Sequence, residues 1–120
     1  MELVIVGCQS GDEGKGKFTD ILSQKADIVV RYQGGTNTGH TVRIQNKKIR
    51  FIQIPSGILH GGIGLLGNGV VINPVELEKE LENLETLFNK KFPILISESA
   101  HIILPYHKVQ DEVMEKWRGD

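Results

Sequence analysis

Cysteine is nearly missing from this sequence: Cys8 stands alone, so no internal disulfide can form, and the pattern suits a reducing cytoplasm. Beside an apolar run, that thiol is expected to be packed and unreactive. No excess of one charge is present either. The formal net charge is −1 and no cluster of Lys or Arg persists, which argues against nucleic acid or an anionic membrane as partner while leaving small anions open. Long hydrophobic runs are absent, and the opening Met1-Glu2-Leu3-Val4-Ile5-Val6 is too short for a signal peptide core or a membrane span. The expectation is a soluble, unexported, cytoplasmic protein. Repeats, heptads and low-complexity tracts are missing as well. At 120 residues the chain has the size of one modest domain.

Glycine, by contrast, is concentrated in three places: Gly7 to Gly16, Gly34 to Gly39 and Gly57 to Gly69. These are the candidate working loops. Between them strands and helices alternate. Leu3 to Val6 reads as a first, central strand buried on both faces, and Phe18, Ile21 and Leu22 recur at helical spacing within about Gly14 to Gln24. Asp27 to Tyr32 reads as a strand, and Thr41 to Ile44 with Lys48 to Ile54 as a hairpin turning at Asn46. "GLLGNGVVIN" reads as a short strand and loop.

The clearest helix spans Pro74 to about Asn89. Asn73 is its cap, Pro74 its first residue and Glu76 the partner in a capping box, with Leu77, Leu81, Leu84 and Phe88 as its buried stripe. A strand over Phe92 to Ile96 follows, then a helix from Pro105 to Trp117 with Val109, Val113 and Trp117 on one face and Gly119 as its stop. The fold class is therefore α/β: a mixed, mainly parallel sheet with flanking helices, a β-hairpin and a first strand-loop-helix like that of the phosphate-loop NTPases.

Gly11-Asp12-Glu13-Gly14-Lys15-Gly16-Lys17 fits the phosphate-loop spacing, but Phe18 stands where that loop carries Ser or Thr to hold magnesium. Asp12 offers a substitute oxygen, and a hard divalent cation would offset its repulsion from a polyphosphate. A carboxylate there can also take a proton from a substrate. Lys15 and Lys17 supply positive charge, while Gly14 and Gly16 let phosphate approach the backbone at a helix start. His40 lies in the second glycine loop. In open α/β sheets such loops converge at one edge, which brings His40 towards Asp12. His60, His101 and His107 are scattered without metal-site spacing and receive no role.

"GCQSGDEGKGKFTDIL", "VVRYQGGTNTGHTV", "IPSGIL…GNGVVINP" and "SESAHIILPYHKVQDEVMEKWRG", in that order, closely resemble the N-terminal portion of the adenylosuccinate synthetases. The resemblance implies ligation of IMP to L-aspartate with GTP and Mg2+, through 6-phosphoryl-IMP, on the route to AMP, by an enzyme that is homodimeric at full length. It implies that Asp12 is the general base and a metal ligand, that His40 is the acid stabilising charge on the transferred phosphate, and that the Gly39 carbonyl is a second metal ligand.

By the same resemblance GTP contacts fall on Gly11, Asp12, Glu13, Gly14, Lys15, Gly16, Lys17, Gly39, His40 and Thr41. IMP contacts fall on Asp12, Glu13, Gly14, Lys15, Asn37, Thr38, Gly39 and His40. Ser10 and Cys8 depart from the tryptophan and glycine common there, which changes loop packing but removes no reacting group. The family's IMP-phosphate, aspartate and guanine segments have no counterpart in this chain, so residues 1–120 are expected to be the N-terminal part of one catalytic domain, and the isolated chain to lack a full active site. Two other readings stay open: a non-catalytic nucleotide-binding module, and a generic phosphate-loop NTPase, which would need Ser or Thr at position 18.

Overall fold

The computed structural model describes residues 2–8, 14–37, 39–44 and 46–119. Strand β4, Ile63–Ile72, is the axis of the molecule. It pairs in parallel with β1, Ile28–Gly34, along one edge, and with the short strands β5, Ile94–Ile96, and β6, His101–Ile102, along its other pairings. Among the described residues, antiparallel pairing is confined to a separate hairpin of β2, His40–Ile44, and β3, Lys47–Phe51, in which His40 faces Phe51 and Arg43 faces Lys48. Asn46 turns the hairpin with a positive φ of 64°. The helices are α1, Lys15–Leu22, α2, Pro74–Phe88, and α3, Pro105–Arg118. This is the α/β architecture with a parallel sheet and hairpin that the alternation of patterns implies.

The glycines of "GLLGNGVVIN" mislead a local reading, because the segment is a continuous strand. A Cβ at Gly69 would lie 2.4 Å from the Tyr32 carbonyl oxygen. Glycine here lets the β1 backbone come close where the register shifts between Arg31 and Gln33, so it marks an irregular pairing rather than a loop.

One face of the sheet holds the core. Phe51, Ile54, Ile58, Leu66 and Val70 are fully enclosed, with Ile72, Leu77, Leu84 and Phe92 against them. The opposite face is open: Ile28, Val30, Tyr32, Val71 and Leu95 are all exposed. The segment Leu3 to Val6, expected to be a central first strand buried on both faces, is not one. Residues 2–8 form no strand, and Leu3, Val4 and Val6 are exposed. A hydrogen bond from the Tyr32 hydroxyl to the Ile5 carbonyl, 3.1 Å, connects them to β1. β-Branched composition signals a segment suited to a sheet; a strand needs a paired edge as well. Cys8, expected to be packed, is exposed with them.

Three further expectations change in detail. The Asn73 side chain caps α2 by accepting from the Glu76 N–H at 3.4 Å, but the capping box is not closed, since Gln53 Oε1 accepts from the Asn73 N–H at 2.8 Å. The Glu76 carboxylate pairs instead with Lys108, at 3.1 Å. Strand β3 stops at Phe51 rather than Ile54, and the following backbone bends: Glu80 accepts from the N–H groups of Ile52, Gln53 and Ile54 at 2.9, 2.9 and 3.2 Å. The apolar stripe of α3 covers nothing among the described residues, with Val109, Val113 and Trp117 exposed.

Candidate functional site

Helix α1 begins directly after Gly14, whose left-handed φ of 82° turns the chain and whose carbonyl accepts from Lys17 and Phe18 N–H at 3.0 and 3.2 Å. Its first turn packs against β2. A Cβ on Gly16 would stand 2.6 Å from His40 Cδ2 and 2.8 Å from Cγ, so only glycine allows the imidazole to lie where it does. Gly16, from the first glycine cluster, thus meets His40, from the second; the expected approach of His40 to Asp12 involves a residue outside the described ones. Gly39 is pressed on β3, where a Cβ would be 3.2 Å from the Phe51 carbonyl oxygen. Gly11, Asp12, Glu13 and Thr38 lie outside the described residues.

The His40 ring stacks on Phe51 with centroids 5.6 Å apart and planes 19° from parallel. Its Nε2 is buried and has no hydrogen-bond partner among the described residues. Burial lowers the His40 pKa from its ordinary value, nearby Arg31 adds to that, and Asp20 opposes it. A neutral imidazole with one unsatisfied ring nitrogen is poised to exchange a hydrogen bond with a ligand. Phe18, at the position of the missing hydroxyl, is exposed.

Arg31 and Glu80 are the residues that pattern reading misses. Arg31 donates to the Gly35 carbonyl at 2.8 Å and to the Ile52 carbonyl, tying the loop that carries Asn37 and Gly39 to the bend after β3. Glu80 holds that bend from α2, and its charge acts on Arg31. A signal for Glu80 exists in the sequence: it lies between Leu77 and Leu84 on the apolar stripe, where a charge needs a partner. Nothing local marks the tie of Arg31 to the bend, because Ile52 is 21 residues away.

Among the histidines without an assigned role, His60 contacts the Asp20 carboxylate at 3.0 Å, and His107 Nδ1 accepts from the Leu104 N–H at 3.0 Å at the start of α3. Both uses are structural. No cluster of three or more His, Cys, Asp or Glu suited to a metal occurs among the described residues, which exclude Asp12.

The sequence matches the family profile described as adenylosuccinate synthetase over residues 4–120. It is 53% identical over 119 residues to the adenylosuccinate synthetase of Chlorobium limicola, covering 98% of this chain and 27% of the relative. The enzyme of Exiguobacterium sibiricum is 50% identical, with 98% and 28% covered. Among solved structures, the fully ligated adenylosuccinate synthetase of Plasmodium falciparum superposes with a TM-score of 0.81 at 38% identity, covering 93% of this chain and 26% of that one. A cyanophage S-2L succinoaminodeoxyadenylate synthetase shares the fold, with a TM-score of 0.73 at 23% identity over 90% of this chain and 31% of that one. The chain thus spans about a quarter of the length of these relatives, and over that span it belongs to the adenylosuccinate synthetase family.

Proposed function

We propose that residues 1–120 are the N-terminal part of a catalytic domain that ligates IMP to L-aspartate at the expense of GTP, in the cytoplasm and as a homodimer. The observation that supports this most is the seating of His40 against Gly16, which joins the two loops to which the chemistry is assigned. In this reading Asp12 removes the N1 proton of IMP, so that O6 attacks the γ-phosphate of GTP. His40, through the ring nitrogen that lacks a protein partner, meets charge developing on the transferred phosphoryl group. The amine of L-aspartate then displaces phosphate from 6-phosphoryl-IMP. Lys15 and Lys17 hold phosphate oxygens, and Asn37 and Gly39 sit on a loop fixed by Arg31.

The Asp12 carboxylate and Gly39 carbonyl are hard oxygen donors of the kind Mg2+ takes, and they would hold it; the ion would supply charge neutralisation on the phosphates. The test is GDP formation from GTP and Mg2+ with IMP or L-aspartate left out in turn, using the 120-residue chain and a version extended to the full length of the relatives. Formation that requires IMP in the extended protein, and is lost in Asp12→Asn, is the expected outcome. Formation independent of IMP would replace this reading with a plain GTPase.

A further inference from the structure

A cleft of about 490 Å³ opens between α1 and the hairpin, lined by Lys17, Asp20 and Ile21 from α1, Thr41, Arg43 and part of Val42 from β2, and Lys48 from β3. Its charge is unusual for a hairpin surface. Arg43 and Lys48 are directly opposed across the two strands. Like charges in that position repel, and sheets place opposite charges or apolar pairs there. Lys17 adds a third cation from the facing helix. None of the ion pairs or side-chain hydrogen bonds among the described residues engages these three cations, while the carboxylate in the cleft, Asp20, is taken up by His60 at 3.0 Å.

The hairpin spends its other face on the core. Val42, Ile49 and Phe51 are buried there, so alternation along the strands commits Thr41, Arg43 and Lys48 together to the cleft side. Three convergent cations and a hydroxyl in one concavity are complementary to an oxyanion carrying several negative oxygens.

The geometry points to Arg43 and Lys48 as anion-holding residues that extend the phosphate site from Lys17 and Thr41 onto the hairpin, for a phosphate-type ligand with more than one charge. This rests on the reading of Lys17 and Thr41 as phosphate contacts. The ligand is either the polyphosphate tail of a nucleotide or free phosphate, which share the chemistry that the cleft recognises.

The probe is inorganic tripolyphosphate, titrated calorimetrically into the protein at low ionic strength, where screening is weak. The variants are Arg43→Gln with Lys48→Gln, the charge-preserving Arg43→Lys with Lys48→Arg, and a matched control, Lys79→Gln with Lys116→Gln, on the exposed faces of α2 and α3; circular dichroism confirms that each is folded. Loss of two charge-assisted contacts should weaken binding about tenfold or more in the first variant. The charge-preserving pair and the control should stay within about twofold of wild type, as expected for general screened charge. Equal weakening in the first variant and the control, or no binding by wild type, overturns the inference. Displacement of the probe by GTP identifies a nucleotide tail as the natural ligand, whereas equal affinity for orthophosphate identifies free phosphate, and both support the site. The two readings fail separately: absence of IMP-dependent GDP formation removes the synthetase mechanism, while indifference of tripolyphosphate to Arg43 and Lys48 removes only this extension.

Discussion

Helices α2 and α3 obey the same local rules. Each carries proline in its first turn, an apolar stripe at helical spacing and a left-handed residue at its end, Asn89 with φ 48° and Gly119 with φ 80°. Their fates differ. Leu77, Glu80 and Leu84 of α2 are buried, whereas no residue of α3 is, and an ion pair between exposed Lys108 and Glu76 links the two. Such a surface pair contributes little. The comparison separates two things that periodicity conflates, namely whether a stripe exists and whether the chain supplies a surface for it. Helix α1 falls between them: it buries no side chain, yet its Gly16 is in tight contact with His40.

The sharpest break of the comparison is at Glu80, which has no counterpart on α3. Removing its carboxylate in Glu80→Ala leaves three backbone N–H groups after β3 without an acceptor. The expected loss of stability is about 3 kcal/mol or more, read by urea denaturation. A loss below about 1 kcal/mol would mean that water replaces the carboxylate and that α2 is held by its leucines alone.

The pH dependence gives the same residue a second check. Burial raises the Glu80 pKa above the ordinary carboxylate range, against the three backbone donors and Arg31. With the folded pKa above the unfolded one, the native state binds the proton more tightly, so this contribution is full below the unfolded pKa and declines as pH rises through the folded value. The stability margin of wild type over Glu80→Gln should therefore shrink as pH rises through that window. A margin that widens would show that the hydrogen bonds outweigh burial.

How much of this was legible beforehand follows the same division. The cap, stripe and end of α2 were readable because each signal lies within the helix, and the hairpin was readable because Val42, Ile49 and Phe51 alternate with charged neighbours. Glu80, Arg31 and the cleft cations were not, since their meaning comes from partners brought together by the fold: Glu80 with a bend 26 to 28 residues away, and Lys17 with Arg43 and Lys48. The run Leu3 to Val6 carried a strand signal without a paired edge. At the candidate site, sequence supplied the residue types; the contact between Gly16 and the His40 imidazole, which joins the two glycine clusters, required the structure.

That contact yields the next effect in size. Gly16→Ala places a methyl carbon within 2.6 Å of the His40 ring, so the ring or the first turn of α1 must move. Overpacking of this kind costs about 1–3 kcal/mol. If α1 is placed by this contact, the variant should also shift the His40 ring resonances in NMR. Unchanged resonances with full stability would mean that α1 is as loosely attached as α3.

The smallest effect belongs to α3 itself. Trp117 is 89% exposed and the residues that share its stripe, Val109 and Val113, are exposed as well. Replacing a large aromatic in a packed core costs about 3–5 kcal/mol, whereas a surface substitution stays within about 0.5 kcal/mol. For the 120-residue chain at low concentration, Trp117→Ala should therefore leave the denaturation midpoint unchanged. A loss of 2 kcal/mol or more, on the order of a core substitution, would show that the stripe is covered after all, and the contrast between α2 and α3 would be one of degree. An unchanged midpoint leaves α3 with capping at its ends, through His107 and Gly119, as the local reason for its being helical.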